Sequence, residues 1–311
     1  MKQLDQNNSD NSYQDDTIDL KDLFALLWNG RYLVILITAV FAIGAYFYSQ
    51  TLSDYYRSST SLSVAEGNTG SASQNLGGLA SLAGINISTV SRKGPMYINT
   101  ISSRAFLKHL LEVDENILPG LVAAESYDRE LKKLVYNSDV YDAVNKKWVG
   151  NKPNHLQVYS LYRKLVYVDF HEIRRTMDVN VEHISPVFAY DLLSIIISEA
   201  DSMLRERDIE ISTEAIGFLT DELARTPLLE IKNSINQLIL TQLNKQMMAK
   251  VSKNYIVNIL DPPFIPLRSF KPNRGFIRLV GVVFGLLAGI LFILLRYYFT
   301  RNTIQQKSES T

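Results

Sequence analysis

The sequence predicts an α+β membrane protein, and three observations carry that prediction. Two apolar runs, Tyr32–Tyr48 and Leu279–Leu295, bracket almost the whole chain. Each is about 17 residues long, at the low end of what a bilayer-crossing helix needs, and Trp28, Phe276, Tyr297 and Tyr298 extend both. Between the runs lie short segments alternating with period two, as half-buried strands do, and a stretch from Val187 to about Ala224 that keeps helical phase. Transmembrane helices are therefore expected at 32–50 and 276–296. They flank a central region, 51–275, and two tails, 1–31 and 297–311, that share the other compartment.

Composition narrows the class. Lys plus Arg and Asp plus Glu both number 32, and the basic residues are dispersed, so no face suited to nucleic acid stands out. The absence of cysteine excludes disulfides, thiolate zinc sites, iron–sulfur clusters and a cysteine nucleophile. No motif asks for a cofactor or a metal.

The first run follows a polar tail carrying Asp5, Asp10, Asp15, Asp16 and Asp19 rather than a short basic region. It reads as a signal anchor, not a cleaved leader. Lys21 and Arg31 precede it, whereas Arg268, Lys271, Arg274 and Arg278 precede the second run and Arg296, Arg301 and Lys307 follow it. That count does not decide orientation. Long domains translocate largely regardless of charge, which favours a central domain outside the cytoplasm.

After the first run, Tyr55–Glu66 reads as a strand. Gly67–Gly94 is rich in glycine and serine and reads as a loop; no Lys-Ser/Thr pair follows its last glycine, so it is not a Walker phosphate cradle. Met96, Ile98, Ile101, Phe106, Leu107, Leu110 and Leu111 predict one amphipathic helix over Pro95–Val113. Asp114–Pro153 is less regular, with a helical stretch at Ser126–Val135. Leu165–Phe170 and Thr176–His183 read as strands joined by a turn at His171–Arg175.

Ser185 followed by Pro186 is a helix start, with serine at the cap and proline in the first turn. The helix it opens, at 1.5 Å per residue, would reach roughly 57 Å before Pro227 ends it. Its charged midsection, Arg205, Glu206, Arg207, Asp208 and Glu210, reads as a solvated or inter-subunit face. A second helix, Leu228 to about Val251, should fold back on the first or continue it. Tyr255–Leu260 alternates as a strand. The segment Asp261–Gly275, with Pro262, Pro263, Pro266 and Pro272, then reads as a stiff extended linker to the second run. Within that run Gly281, Gly285 and Gly289 fall four apart on one helix face, a close-packing signal. Its partner is either the first run, which carries Ala42, Gly44 and Ala45, or another copy of the chain.

The order of these parts resembles the chain-length determinant family, the bacterial polysaccharide co-polymerases that set the length of O-antigen and related surface glycans. Asp16–Ile35 looks like the family's start and Ser58–Glu66 like its first external strand. Ile216–Pro263 is similar to its distal helices and returning strand. The approach to the membrane through Pro262, Pro263, Pro266, Lys271, Pro272, Arg274 and Gly275 is the most specific sign. The family's usual Pro-Lys-Arg appears here only in the looser Lys271-Pro272-Asn273-Arg274. The resemblance implies a periplasmic α/β base domain with long projecting helices, subunits assembled side by side into a homo-oligomeric ring, and both termini in the cytoplasm. It also implies work beside a membrane O-antigen polymerase on a lipid-linked glycan, with no bond made or broken by this chain. Some relatives add a tyrosine kinase. About 15 residues follow the second run here, without a Walker motif, so no kinase is expected.

Asp169, His171 and Glu172 lie close in sequence, but without a nucleophile or a metal-spaced partner they read as a polar turn rather than a catalytic site. His109, His155 and His183 have no ligand-like spacing. A membrane sensor would need a cytoplasmic output. The glycan could instead be capsule, enterobacterial common antigen or exopolysaccharide. Tyr55, Tyr56, Tyr159, Tyr162 and Tyr167 could stack on sugars or serve packing.

Overall fold

The computed structural model describes residues 28–64 and 93–308, with side chains placed through 299. In chain order its elements are α1 (Arg31–Thr51), β1 (Tyr56–Val64), α2 (Lys93–Ile101), α3 (Arg104–Val113), α4 (Ile117–Val122), β2 (Ala124–Asp128), β3 (Lys133–Tyr136), β4 (Tyr141–Asp142) and β5 (Lys147–Trp148). These are followed by α5 (His155–Leu165), β6 (Val166–His171), β7 (Thr176–His183), α6 (Pro186–Arg225), α7 (Leu229–Val251), β8 (Val257–Asp261) and α8 (Arg274–Ser308). Mixed helix and sheet with an apolar helix near either end is the class the sequence predicts. Contacts divide the chain into two units, one holding α1 and α8, the other Ser53–Lys271. The glycine-rich stretch 67–92 and the acidic tail 1–27 lie outside the described residues.

The Ser53–Lys271 unit is built on a four-stranded antiparallel sheet, order β6-β7-β1-β8. Its register places Tyr56 opposite His183 and Leu62 opposite Met177. The pleat then separates two faces. Leu62, Met177, Val179 and Val181 turn to the core, where Leu192, Leu193, Ile196, Ala200 and Leu204 of α6 cover them together with Tyr97, Phe106 and Leu110. The other face is polar: Arg57 pairs with Glu182, and Tyr167 lies opposite Asn180.

Three local readings change. The helix over Pro95–Val113 is two helices: Ser103 interrupts it, its side chain accepting the Phe106 N–H at 3.0 Å and so capping α3. Ser126–Val135 is not helical but the hairpin β2–β3. Asp128 Oδ1 accepts the Glu130 and Leu131 N–H groups at 2.8 and 3.0 Å, and Lys132 takes a positive φ of 52°, so the turn carries side-chain chemistry without glycine. The same device recurs at Asp142 and Lys146 between β4 and β5. Helix α4 falls where the sequence read as irregular, and α5 lies just past that stretch, in residues given no element; α5 has a full capping box between Asn154 and Gln157.

Helix α6 begins at the Ser185 cap and runs 40 residues, and α7 folds back along it. Past Ser212 no residue of α6 is buried, and in α7 only Ile235 and Ala249 are. In the other unit α1 and α8 are long and apolar enough to cross a membrane.

Candidate functional site

The proline-rich approach is docked onto the sheet rather than left as a free linker. Two polar residues of β1 that alternate toward the core, Ser58 and Thr60, are buried because they donate to backbone carbonyls: Ser58 Oγ to Phe264 O at 2.8 Å and Thr60 Oγ1 to Asp261 O at 2.6 Å. Pro266 is buried and Pro263 half-buried, whereas Pro262 is exposed. The segment closes with Tyr55 donating to Lys271 O at 2.8 Å and Phe270 donating back to Tyr55 O at 2.7 Å. Prolines suit this run because their lost N–H groups are not needed where the carbonyls are what the strand captures.

That docking brings Phe270 and Lys271 to the polar face of the sheet, where Lys271 meets Glu182 and Phe270 meets Arg57. Glu182 is 8% exposed and accepts Arg57 Nη2 at 2.6 Å and Nε at 3.0 Å, Tyr167 Oη at 2.9 Å and Lys271 Nζ at 2.8 Å. The Arg57 guanidinium also lies 3.3 Å from the Phe270 ring centroid, a cation–π contact. Burial alone would push the Glu182 carboxyl up; the hydrogen bonds from Lys271, Arg57 and Tyr167 outweigh it and hold the group below the ordinary carboxylate range. Burial, and donation to Glu182, push the Tyr167 phenol up. Of the membrane-approach residues, Lys271 alone joins this cluster.

Pro272, Arg274 and Gly275 belong to the unit of the two apolar helices. Arg274 Nη1 reaches Gln50 Oε1 at 3.0 Å, and Gly275 is exposed. The three glycines of α8 face α1. A Cβ on Gly281 would overlap that of Ala45; on Gly285 it would lie 2.8 Å from Phe41 Cβ and 2.9 Å from Thr38 Cα; on Gly289, 3.1 Å from Val34 Cα. Gly44 faces open space, so of the small residues in the first run Ala45 is the one that meets a glycine.

A third cluster locks the two long helices to β8. Asp201 accepts the Tyr255 and Ile256 N–H groups at 2.9 and 2.8 Å. Arg205 donates to Asp201 and to the carbonyls of Ala249, Ser252 and Lys253 at 2.6 to 3.0 Å. Asp208 takes Lys245 Nζ at 2.9 Å and Tyr255 Oη at 2.7 Å. The charged midsection of α6 is thus divided: Arg205 and Asp208 face inward as helix-hairpin fasteners, while Glu206, Arg207 and Glu210 are exposed. Beside the cluster opens a polar groove of about 410 Å³ that includes Ser194, Ser198, Ser202 and Pro263.

None of these clusters has the geometry of a reaction centre. His171 pairs with Asp178 at 3.2 Å and Asn180 with Asp169 at 3.3 Å on the polar sheet face, and Glu172 lies in the turn. Among the described residues no three His, Cys, Asp or Glu side chains converge as metal ligands. Of the tyrosines, Tyr56 and Tyr162 are buried, Tyr159 and Tyr162 donate to Ser102 O and Ile101 O, and Tyr167 serves Glu182. These are packing roles; Tyr55 alone is exposed. Sequence reading missed Glu182, Arg57 and Asp201 and placed Arg205 and Asp208 on a solvated or inter-subunit face, since no spacing marks a charge whose partners come from distant segments.

Residues 16–112, somewhat under a third of the chain, match the model of the chain length determinant protein family, Wzz. The match takes in α1, β1, α2 and nearly all of α3 and stops before the proline-rich approach. A solved structure described as a full-length bacterial polysaccharide co-polymerase aligns with 91% of this chain and 99% of its own, at 12% identity and a TM-score of 0.43. No curated protein matches the chain.

Proposed function

We propose that this protein regulates the chain length of a bacterial surface polysaccharide, the O-antigen of lipopolysaccharide, as a non-catalytic co-polymerase. The observation that carries the reading is the chain length determinant match over residues 16–112. In this reading α1 and α8 span the inner membrane, the Ser53–Lys271 unit stands in the periplasm, and both termini are cytoplasmic. The chain acts as a homo-oligomer beside a membrane glycan polymerase that extends a lipid-linked product.

Two features suit a scaffold. The α6–α7 hairpin leaves Phe218, Leu238, Leu240 and Met247 at 45–70% exposure in a single chain, apolar surface that neighbouring copies would bury. The docking of Asp261–Lys271 is made by bonds within the Ser53–Lys271 unit, so each copy can repeat it.

The test is the lipopolysaccharide ladder of an O-antigen-producing strain lacking its own length regulator, with and without this protein. A shift from a broad, short-biased ladder to a clustered modal length supports the reading. An unchanged ladder from a verified membrane-inserted protein rejects O-antigen as the glycan. Extension or hydrolysis of a lipid-linked glycan by the purified protein alone would overturn the non-catalytic assignment.

A further inference from the structure

Two surface segments of the Ser53–Lys271 unit share an unusual composition and a common anchor. The first is the β2–β3 turn, Arg129-Glu130-Leu131-Lys132-Lys133, exposed throughout, with Leu131 68% exposed at its tip. The second is the run Leu267-Arg268-Ser269-Phe270, where Leu267 is 96% and Phe270 45% exposed. Each sets an exposed apolar side chain beside cations, and Lys132, Lys133 and Arg268 have no ion pair among the described residues. Glu130 is the one carboxylate at the turn's tip, since Asp128 is spent on capping it.

Adjacent residues at the start of β1 hold both segments. Arg129 Nη2 pairs with Asp54 Oδ2 at 2.8 Å. Tyr55 exchanges backbone hydrogen bonds with Phe270 and Lys271. Asp54 follows Thr51, the last residue of α1, by three positions, a chain reach of about 10 Å. Lys271 precedes the start of α8 by the same number. The turn is also rigid: the Asp128 cap and the positive φ of Lys132 fix Leu131 outward, so its exposure is built in.

We infer that the β2–β3 tip and the Leu267–Phe270 run form a bilayer-contacting collar, in which Leu131 and Leu267 enter the interface and Lys132, Lys133 and Arg268 bind anionic lipid headgroups. The occupant is a lipid surface because apolar tips flanked by cations match the charge and depth profile of an anionic interface, and because the Arg129–Asp54 ion pair and the backbone bonds of Tyr55 tie the two segments to residues only a few positions past the end of α1. The inference rests on the reading of α1 and α8 as membrane spans. A built-in control exists in the β6–β7 turn, where fully exposed Ile173 sits beside Arg174 and Arg175. That tip has the same composition, but it lies at the Ser63–Thr176 end of the sheet, seven residues along β1 from Tyr56, about 23 Å away by strand rise.

The chain has no cysteine, so single-site labelling needs no background removal. Full-length Leu131→Cys, Ile173→Cys and Leu287→Cys proteins, each carrying an environment-sensitive fluorophore, are placed in phosphatidylcholine nanodiscs with or without phosphatidylglycerol and with brominated acyl chains as quencher. The expected result is quenching at 287 in all discs, quenching and a blue shift at 131 that strengthen with phosphatidylglycerol, and neither at 173. K132E/K133E should remove the phosphatidylglycerol dependence at 131. A label at 131 as wet as that at 173 while 287 is quenched overturns the collar and leaves the spans standing. Equal quenching at 131 with and without phosphatidylglycerol overturns headgroup recognition, and an unquenched 287 overturns the spanning reading itself.

Discussion

Arg205 Nη1 lies 2.6 Å from the carbonyl oxygen of Ala249, so a side chain from the middle of one long helix closes the final turn of the other. The last carbonyls of a helix have no partners of their own, and here a guanidinium reaches the carbonyls of Ala249, Ser252 and Lys253 at and just past the helix end while Asp201 neutralises it. Arg205→Ala should leave a mostly buried Asp201 uncompensated and those carbonyls short of a donor. A loss of about 3 kcal/mol is expected, seen as a lower unfolding midpoint of the detergent-solubilised protein and earlier proteolysis near Ser252. Arg205→Lys should recover only part of it, since an ammonium cannot span the fork. A wild-type midpoint for Arg205→Ala would reject the fastener.

Which parts of this arrangement were legible beforehand follows from how far each signal travels along the chain. Ser185-Pro186 marks the start of α6, and the alternation of Thr176–His183 matches β7 to the residue, because caps and pleats are local. Ser126–Val135 misleads because its turn is made by Asp128 and a positive-φ lysine rather than by an Asn-Gly pair. The Glu182 and Arg205 clusters were invisible because each joins residues dozens of positions apart, and a lone charge in a strand or helix does not announce its partner. Nothing within the proline run announces its docking, which depends on Ser58 and Thr60, about 200 residues away.

Glu182→Gln tests the docking cluster through pH. A carboxylate held low contributes stability that is complete above its unfolded value and is lost as pH falls through the folded one. Near pH 7 the variant should therefore be less stable by about 1–2 kcal/mol, a range set mainly by Arg57 because Lys271 is 57% exposed and solvent-screened. The gap should close as pH falls below the unfolded carboxylate range and through the lower folded value. Parallel curves from pH 7 to 3 would show that the charge of Glu182 carries no stability.

His183 supplies a second acid response, separable from the first. The Ser185 N–H donates to Nδ1 at 3.1 Å, which leaves the hydrogen on Nε2 to face Gly120 O at 3.0 Å. Burial pushes the imidazole down to about 4, only partly opposed by those backbone bonds. Between the ordinary value near 6.5 and about 4 the unfolded chain holds the extra proton, so stability falls as pH drops, by about 3 kcal/mol in all, and levels off below. His183→Gln can keep both bonds without titrating. It should flatten the pH 6.5–4 slope of the unfolding free energy, and an unaltered slope would place the titrating group elsewhere.

The pair of α1 and α8 gives a prediction in which one substitution changes sign with position. Replacing glycine by alanine inside a helix is intrinsically favourable by about 1 kcal/mol. At Gly44, where a Cβ meets nothing within 4 Å, that gain is unopposed, and Gly44→Ala should be neutral or mildly stabilising. At Gly285 the new methyl would lie 2.9 Å from Thr38 Cα. Backbone cannot yield as a side chain tip can, so Gly285→Ala should force the helices apart and cost about 1–3 kcal/mol. Gly289, with Val34 Cα at 3.1 Å, should fall between. Thermal midpoints of the three variants in one detergent give the ranking, and in the length-ladder assay Gly285→Ala should broaden the modal cluster while Gly44→Ala preserves it. Equal midpoints for Gly44→Ala and Gly285→Ala would mean that α1 and α8 do not meet along this glycine face in the working protein.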